Sequence, residues 1–465
     1  MKKKLLLLSF IEGGAVMCAE LCGARLLAPV FGSSLYVWSA VMGITLGGLA
    51  LGYFFGGRYN DGQAQKVVLR RFLLLAALYL MAMPLFARYV LPLLAFLPFN
   101  AGVISGAFLL MMPSVFLLGA TSPLFIGIQT NDHGAAKVSG TVYAVSTAGG
   151  ILSTFLCGFL LMPEFGITLT LVIHGLLLWI TTILIMRGKW MSGVFTGVAI
   201  IFLLLFETDQ QGRLFSADGI NGRLEVMKLN ENGREIKRLL VNGIIQTETH
   251  AGTSTLEYVS LIDSLIDSEN RGDHALVLGS GGGSVPNLLV RRGYSVTAVE
   301  FDPRIINAAT RFFGLDARVR VVEDDARRFI NRTTHKYSVI VVDVFRAEEQ
   351  PSHVLTSESL LRVKRLLDSE GLMVVNWHGY TEGELGAGTE VLINTLHKAG
   401  FSTSLTYTGS HPDYRNTVIS ARLSGYGQVV TGPVNTDDKP VLEKANALAN
   451  KSWRANYLRY YSLAN

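Results

Sequence analysis

The stretch LVLGSGGGSVPNLL (276–289) joins an apolar run to the start of a helix-like segment through a row of small residues. A glycine turn of this kind lets backbone N–H groups at a helix N-terminus approach an anion or a nucleotide. Neither a GKS or GKT sequence nor a third glycine at dehydrogenase spacing accompanies it, which disfavours ATP hydrolysis and hydride transfer. The turn alone is weak evidence, because a tight turn without a ligand can have the same composition.

Short apolar strands alternate with amphipathic helices around this turn. We predict strands over 274–279, 295–300, 318–323, 337–343 and 371–377, with strands also near 403–408 and 416–422. This alternation is typical of a parallel, doubly wound sheet. The prediction is therefore an α/β Rossmann-like domain of the methyltransferase type over 253–465, preceded by a small β-hairpin region over 213–252.

Carboxylates stand where successive predicted strands end. Glu300 follows the turn by about 20 residues, a position from which a carboxylate can accept ribose hydroxyls. Asp324 and Asp325 end the third strand and suit an adenine amino group, while Asp343 ends the fourth, above the place where a reacting group would lie. The turn residues expected at the nucleotide are Gly279, Ser280 and Gly281.

Residues 1–212 differ sharply in composition from the rest. They contain 12 Lys/Arg and 7 Asp/Glu, whereas 213–465 contain 29 of each, so the net charge of +5 lies in the apolar half and gives no support for nucleic-acid binding. Apolar segments of membrane-spanning length predict an α-helical transmembrane bundle of about seven helices. These segments lie near 5–31, 35–56, 67–94, 99–127, 137–161, 167–186 and 190–206.

Basic residues near the predicted helix ends indicate the orientation. Lys2–Lys4 and the basic residues of 58–71 place the N-terminus on the cytoplasmic side of an inner membrane. Seven full crossings would export the polar half, whereas a re-entrant or interfacial 190–206 would keep it in the cytoplasm, the location that we predict. The three cysteines (Cys18, Cys22 and Cys157) show no zinc or disulfide spacing, so no metal site is predicted. His174 is expected to make a helix–helix hydrogen bond, with a proton relay as the alternative.

The polar half resembles the spermidine synthase (polyamine aminopropyltransferase) family from about 223 to 423. The segments that carry the resemblance are LVNGIIQTET (240–249), VLGSGGGS (277–284), VEFDP (299–303), VVEDDARRF (321–329) and VVDVF (341–345). The apolar half is similar to the membrane domains fused to such synthases in bacteria, through RLLAPVFGSSLYVWS (25–39) and GATSPL (119–124) among others.

The resemblance implies a role for each matching residue. Glu300 would bind the ribose of decarboxylated S-adenosylmethionine or of S-adenosylmethionine, used as a co-substrate without a metal, and Asp324 with Asp325 would bind its adenine. Gln246 would line the nucleoside or thioether side, and Tyr258 would bind substrate. Asp343 would be catalytic, accepting a proton from the attacking amine or orienting it.

Two positions depart from the family pattern. The acid inside the family's glycine motif is Gly282 here, and the second acid, three residues after the catalytic one, is Arg346. The loss or reversal of each charge changes the electrostatic interaction with a cationic ligand by about 1–4 kcal/mol in a partly buried pocket. A cationic diamine should therefore bind poorly unless Glu348 or Glu349 compensates, and we hypothesise an undecarboxylated donor with Arg346 near a carboxylate.

The sequence thus predicts a membrane-bound transferase of the spermidine synthase type. It would move an aminopropyl or related group from a (decarboxylated) S-adenosylmethionine donor to a small-molecule amine or a lipid-associated substrate. One alternative is an S-adenosylmethionine-dependent methyltransferase or aminocarboxypropyltransferase acting on a membrane-associated substrate. A non-enzymatic alternative is a nucleoside-sensing domain that regulates a transporter. The resemblance to soluble synthases leaves open whether the chain forms a homo-oligomer.

Overall fold

The structure is a computed structural model, and its chain divides into two units. The described residues are 2–31, 35–59, 62–94, 97–130, 134–186, 212–217, 219, 222–231, 233–266, 273–345, 350–378, 380–409, 411, 413, 415–424 and 430–463. One unit comprises 1–210 with 217–223, and the other comprises 211–216 with 224–465.

The first unit is built from long apolar helices. They are α1 (Lys2–Phe31), α2 (Leu35–Gly56), α3 (Gly62–Tyr89), α4 (Phe99–Thr130), α5 (Ala135–Leu156) and α6 (Met162–Ile185), with a π-helical segment at Cys157–Leu161. Helix α1 contacts α4, α5 and α6, while α2 and α3 pack on α4. Among the described residues, five continuous segments, of which Ala135–Ile185 is one, are long and apolar enough to cross a membrane.

Glycines allow the closest helix contacts in this unit. A Cβ at Gly149 in α5 would overlap the carbonyl oxygen of Phe10 in α1. A Cβ at Gly52 or Gly56 in α2 would similarly meet the α4 backbone around Ala120. Helix association in lipid relies on such close backbone approach, because burial of apolar surface provides little driving force there.

The chain reverses direction between α5 and α6. Gly166 has φ 77° and ψ 173°, outside the helical region. His174 Nε2 lies 2.9 Å from Ser153 Oγ, although the two residues are 21 positions apart in the sequence. In a straight helix this separation would correspond to about 30 Å along the axis. His174 therefore makes the predicted helix–helix hydrogen bond, and the chain folds back between α5 and α6. The predicted count of seven helices is not confirmed, since the seventh segment, 190–206, lies outside the described residues.

The second unit begins with a five-stranded sheet in the order β1-β2-β3-β4-β5. Its strands are β1 (Arg213–Ala217), β2 (Leu224–Glu231), β3 (Arg234–Val241), β4 (Ile244–His250) and β5 (Thr253–Ser254). The β3–β4 register shifts between the pairs Leu239–Thr247 and Leu240–Ile245, which leaves Gln246 as the extra residue of a β-bulge. A bulge bends its strand and redirects the side chains around it.

The seven-stranded sheet has the order β11-β12-β10-β9-β6-β7-β8. Its strands are β6 (His274–Leu278), β7 (Ser295–Glu300), β8 (Arg320–Glu323), β9 (Tyr337–Val342), β10 (Leu367–His378), β11 (Phe401–Tyr407) and β12 (Asn416–Leu423). Strand β12 runs antiparallel to β10 and β11, so the sheet is mixed and the prediction of a parallel sheet was wrong at this edge. The link between β11 and β12 is too short for a crossover, which forces a hairpin.

Helices cover both faces of this sheet. They are α7 (Glu257–Leu265), α8 (Ser284–Arg291), α9 (Pro303–Phe312), α10 (Ala326–Arg332), α11 (Ser357–Leu366) and α12 (Ala387–Lys398). Leu276 and Leu278 of β6 share a core with α11 and α12, whereas Ala275 and Val277 share one with α7 and α8. Burial of both faces explains why β6 is a continuous apolar run.

A last helix, α13 (Leu442–Leu463), was not predicted. It contacts α12, and Tyr457 links it to the smaller sheet by accepting a hydrogen bond from the Ile245 N–H at 2.9 Å. Arg454 donates to the Asn242 carbonyl oxygen at 3.4 Å. The helix thus supports the β3–β4 hairpin from the side of the larger sheet.

Candidate active site

Backbone hydrogen bonds gather the predicted residues at one edge of the larger sheet. The Gly279 N–H donates to the Val299 carbonyl oxygen at 2.8 Å, and the Asp343 N–H donates to the Leu278 carbonyl oxygen at 2.8 Å. The Asp324 N–H likewise donates to the Glu300 carbonyl oxygen at 3.1 Å. These bonds extend the parallel ladders by one residue and bring the glycine turn and three carboxylates to the carboxyl ends of the strands.

The glycine turn requires glycine for two separate reasons. Gly279, Gly281 and Gly283 have φ values of 88°, 48° and 90°, which side-chain-bearing residues rarely adopt. A Cβ on Gly279 would also overlap the Asp343 carbonyl oxygen. The turn therefore lies directly against the end of β9, and α8 begins immediately after it.

Glu300 is held against the turn. One carboxylate oxygen accepts hydrogen bonds from the Ser280 N–H at 3.1 Å and hydroxyl at 3.3 Å, and the other accepts from the Asp302 N–H at 3.1 Å. The side chain is buried, and burial raises its pKa despite these donors. The oxygen that accepts only from Asp302 keeps a lone pair, so the carboxylate can still accept a hydroxyl group of a ligand.

Asp343 lies between two donors at the end of β9. Tyr258 in α7 donates its hydroxyl to one carboxylate oxygen at 3.1 Å, and Asn376 in β10 donates its amide to the other at 2.8 Å. Burial raises the pKa of Asp343 to about 6, although both hydrogen bonds favour the ionised form. The group is therefore largely ionised at neutral pH and can take up a proton at little cost.

Asn376 is a site residue that sequence reasoning missed. Its amide oxygen accepts a hydrogen bond from the Asn416 side chain at 3.0 Å, which orients the amide toward Asp343. The available signal was a polar residue near the end of the apolar strand GLMVVNW (371–377). Tyr258, predicted as substrate-binding, hydrogen-bonds Asp343, and burial together with this carboxylate raises the pKa of Tyr258 well above its usual value.

Asp324 and Asp325 have different surroundings. Asp324 is engaged by Arg328, whose Nε lies 2.6 Å from a carboxylate oxygen, and it accepts the Asp325 N–H at 2.8 Å. Asp325 caps α10 by accepting the Arg328 N–H at 3.0 Å, and it faces His353 at 3.3 Å. Burial opposes ionisation of Asp325, but these two bonds lower its pKa overall. Asp325 thus stabilises the start of α10 at this edge of the sheet.

Thr247 occupies the space beside Gly282, the position where the family carries an acid. The Gly282 N–H donates to Thr247 Oγ1 at 2.7 Å, and a Cβ at residue 282 would lie 2.7 Å from Thr247 Cγ2. The β-bulge at Gln246 immediately precedes this contact. The next acid along β4, Glu248, is paired with Arg238 at 2.5 Å. A side chain at 282 would therefore displace β4.

The described residues bring together most of the predicted site. Gly279, Ser280, Glu300, Tyr258 and Asp343 are joined by the contacts above, and Gln246 lies beside the turn. Arg346, with Glu348 and Glu349, lies outside the described residues. The assembled groups can accept hydroxyl hydrogen bonds at Glu300 and a proton at Asp343, which suits binding of a nucleoside beside a deprotonation step.

The strand order and the glycine turn define an α/β domain of the methyltransferase type. Within that class, residues 258–413 match the family model described as Spermine/spermidine synthase domain. Residues 258–413 are thus similar to a spermine/spermidine synthase domain, and the chain is similar in sequence to polyamine aminopropyltransferases. The apolar half is part of this similarity, because a polyamine aminopropyltransferase 2 from Aquifex aeolicus is 22% identical over 98% of this chain and 92% of its own length.

Two shorter matches cover parts of the polar half. A polyamine aminopropyltransferase from Vibrio vulnificus is 37% identical over 22% of this chain and 37% of its own length. An N-terminal histidine N-methyltransferase from Emericella nidulans is 30% identical over 29% of this chain and 25% of its own length. The chain spans between a quarter and about half of the length of the first curated relatives that it matches.

Proposed function

We propose that this chain is a membrane-anchored aminopropyltransferase-type enzyme that uses an S-adenosylmethionine-type donor and an amine acceptor. The observation that carries the proposal is Asp343, held by Tyr258 and Asn376 next to the glycine turn, with a pKa of about 6. A carboxylate tuned to this range can accept a proton from an amine as it attacks. Glu300, beside Ser280, would accept the ribose hydroxyls.

The reaction is an in-line displacement at the carbon attached to a sulfonium. The neutral amine nitrogen forms a bond to this carbon while the carbon–sulfur bond breaks, and its electron pair remains on sulfur as a neutral thioether. The extra proton on the new ammonium passes to Asp343. The protein contributes alignment of the two reactants and removal of water from the amine.

The identity of the donor is the more specific part of the proposal. Thr247 fills the space at Gly282, and the family's second acid is replaced by Arg346, so the site offers less negative charge for an ammonium group. We propose that undecarboxylated S-adenosylmethionine is accepted, which would make the transferred group aminocarboxypropyl. Calorimetry with both donors tests this part alone, and a clear preference for the decarboxylated donor would refute it without affecting the transferase proposal.

Product analysis tests the transferase proposal. The purified full chain is incubated with each donor and a cell extract, and acceptors and nucleosides are identified by mass spectrometry. Methylthioadenosine, with an acceptor that gains an aminopropyl or aminocarboxypropyl group, is the expected result. Asp343→Asn should abolish it, whereas Asp263→Asn, at the ion pair with Arg292 beyond the C-terminal end of α8, should not. Full activity of Asp343→Asn would refute the role of Asp343, whereas a parent chain that binds the nucleoside but forms no product would favour a nucleoside sensor that regulates a transporter.

A methyltransferase is the second candidate, favoured by the similarity to the histidine N-methyltransferase. The same glycine turn and ribose carboxylate would serve it, but the leaving nucleoside would be S-adenosylhomocysteine. Finding this product together with a methylated, membrane-associated acceptor would select this candidate over the first.

The proposed location is the inner membrane, with the polar unit in the cytoplasm. The apolar helices are long enough to span a bilayer, and the basic residues at Lys2–Lys4 and near Arg58 support a cytoplasmic N-terminus. A lipid-associated amine is then a natural acceptor, since the enzyme stays at the surface where such a substrate is concentrated. Reporter fusions at the C-terminus that are active on only one side of the membrane show on which side the polar unit lies.

A further inference from the structure

A cluster of soft ligand atoms lies within the helical unit, away from the glycine turn. Cys18 of α1, Cys157 at the start of the π-helical segment and His174 of α6 each offer one ligand atom, and these three atoms lie within 4.8 Å of one another. All three side chains are buried. This cluster cannot be recognised from the sequence, because its members are widely spaced along the chain and meet only after the fold-back near Gly166.

The hydrogen bond on the far side of the His174 ring fixes its tautomer. Nδ1 lies 2.9 Å from the Thr170 carbonyl oxygen, and since a carbonyl can only accept, Nδ1 carries the proton. Nε2 therefore presents its lone pair toward Cys157 Sγ at 3.8 Å and Ser153 Oγ at 2.9 Å. An imidazole whose second nitrogen donates to a backbone carbonyl is the usual arrangement of a metal-binding histidine.

The backbone departs from regular helix on both sides of the cluster. The π-helical segment begins at Cys157 itself, and Gly166 interrupts the helical dihedrals before His174. Single-turn π segments recur at functional sites, because their extra residue shifts side chains relative to the neighbouring turn. Here the two irregularities turn Cys157 and His174 toward each other and toward α1.

We propose that Cys18, Cys157 and His174 bind a zinc-class divalent ion through two thiolates and one imidazole. Tetrahedral zinc with its usual bond lengths would place sulfur and nitrogen ligands about 3.6 Å apart, close to the 3.8 Å between Cys157 Sγ and His174 Nε2. Two thiolates and a divalent ion form a neutral complex, which limits the cost of burying charge. Binding releases the two thiol protons.

The ligand set also selects among metals. Thiolate with imidazole favours zinc or copper over magnesium and calcium, which prefer oxygen. A monovalent copper ion with two thiolates would leave a net negative charge in an apolar bundle, so the divalent ion is favoured. Ser153 Oγ, next to Nε2 and 3.6 Å from Cys157 Sγ, lies where a fourth ligand would complete the coordination.

Metal content and cobalt absorption of the detergent-purified full chain test the proposal. We expect one zinc ion per chain and, after exchange with Co²⁺, the intense near-ultraviolet band of thiolate-to-cobalt charge transfer. Cys18→Ser, Cys157→Ser and His174→Gln should each weaken cobalt binding by at least about a hundredfold. Cys22→Ser is the matched control, because Cys22 is also buried and its Sγ lies 3.9 Å from that of Cys18, yet it is outside the trio.

Each result bears on the proposal directly. A parent chain that binds neither ion, or that binds cobalt without a charge-transfer band, would overturn it. So would a Cys22→Ser chain that loses binding to the same extent as Cys157→Ser. Circular dichroism and nucleoside binding by the polar unit identify variants that fail to fold, and for a misfolded cysteine variant the His174→Gln chain provides the same comparison.

Discussion

Replacing Asn376 with leucine removes the shorter of the two hydrogen bonds to Asp343. Leucine has nearly the same shape as asparagine, so the volume at the end of β10 is preserved while the donor at 2.8 Å is lost. Because this donor stabilises the ionised carboxylate, its removal raises the pKa of Asp343. The neighbouring Asn416 amide also loses its acceptor, which is expected to reduce stability modestly.

The size of the effect follows from the strength of a charge-assisted hydrogen bond. A bond to an ionised group contributes about 1.5–3 kcal/mol, equivalent to about 1–2 pKa units. The pKa of Asp343 should therefore move from about 6 to about 7–8. At pH 7 the ionised fraction would fall about two- to tenfold, and so would the transfer rate, with recovery at higher pH.

The assay is kcat/KM as a function of pH for the parent and the variant, with one donor and one amine. Activity is lost as the pH falls through the pKa of the base, so the acid limb should move upward in the variant. Protonation of the amine affects both chains equally and cancels in the comparison. Thr395→Val is the control, because it removes a buried hydroxyl that accepts the Asn435 N–H at 3.0 Å and that makes no hydrogen bond to Asp343 among the described residues.

An unchanged acid limb in Asn376→Leu, with normal nucleoside binding, would refute the reasoning. It would mean either that Asp343 is not the titrating base or that its pKa does not depend on this bond. A comparable shift in Thr395→Val would also count against it, since a general loss of stability would then explain the effect.

Three further predictions concern the same unit. Gly282→Ala should destabilise the polar unit by about 1–3 kcal/mol, because the new Cβ would lie 2.7 Å from Thr247 Cγ2. The second substitution Thr247→Ser removes that methyl group, so thermal unfolding of the double variant should show part of the lost stability restored. Glu300→Gln should weaken binding of methylthioadenosine about 10–100-fold by calorimetry and lower the melting temperature, because the amide nitrogen would face a backbone N–H; equal affinity would exclude the ribose role. Tyr457→Phe leaves the Ile245 N–H unpaired and should cost about 1 kcal/mol in denaturant unfolding, whereas no change would show that α13 does not hold the hairpin.

The sequence predicted the features that depend on local pattern. Strand ends can be recognised from the alternation of apolar runs and turns, and parallel strands share their carboxyl edge, so the positions of Glu300 and Asp343 relative to the turn followed from the pattern. Helix α13 was missed although Leu442, Ala445, Ala449, Trp453 and Tyr457 recur at helical spacing.

Features that depend on long-range register could not be predicted. The bulge at Gln246 exists only in the pairing of β3 with β4, and the closure of Gly282 by Thr247 depends on where that sheet lies over the turn. Asn376 became a site residue only because β10 lies next to β9. A one-dimensional pattern contains none of these pairings.

The fold-back at Gly166 bears on the face of a bilayer at which the helical unit would end. We predict that Ala135–Ile185 would make two passes and the described helices six, and an even number would return Ile185 to the face at which Lys2 begins. The basic pair Arg187 and Lys189 follows at once, as expected for a cytoplasmic exit. A kink at one glycine would thus reconcile the charge pattern with the cytoplasmic location that we propose for the polar unit.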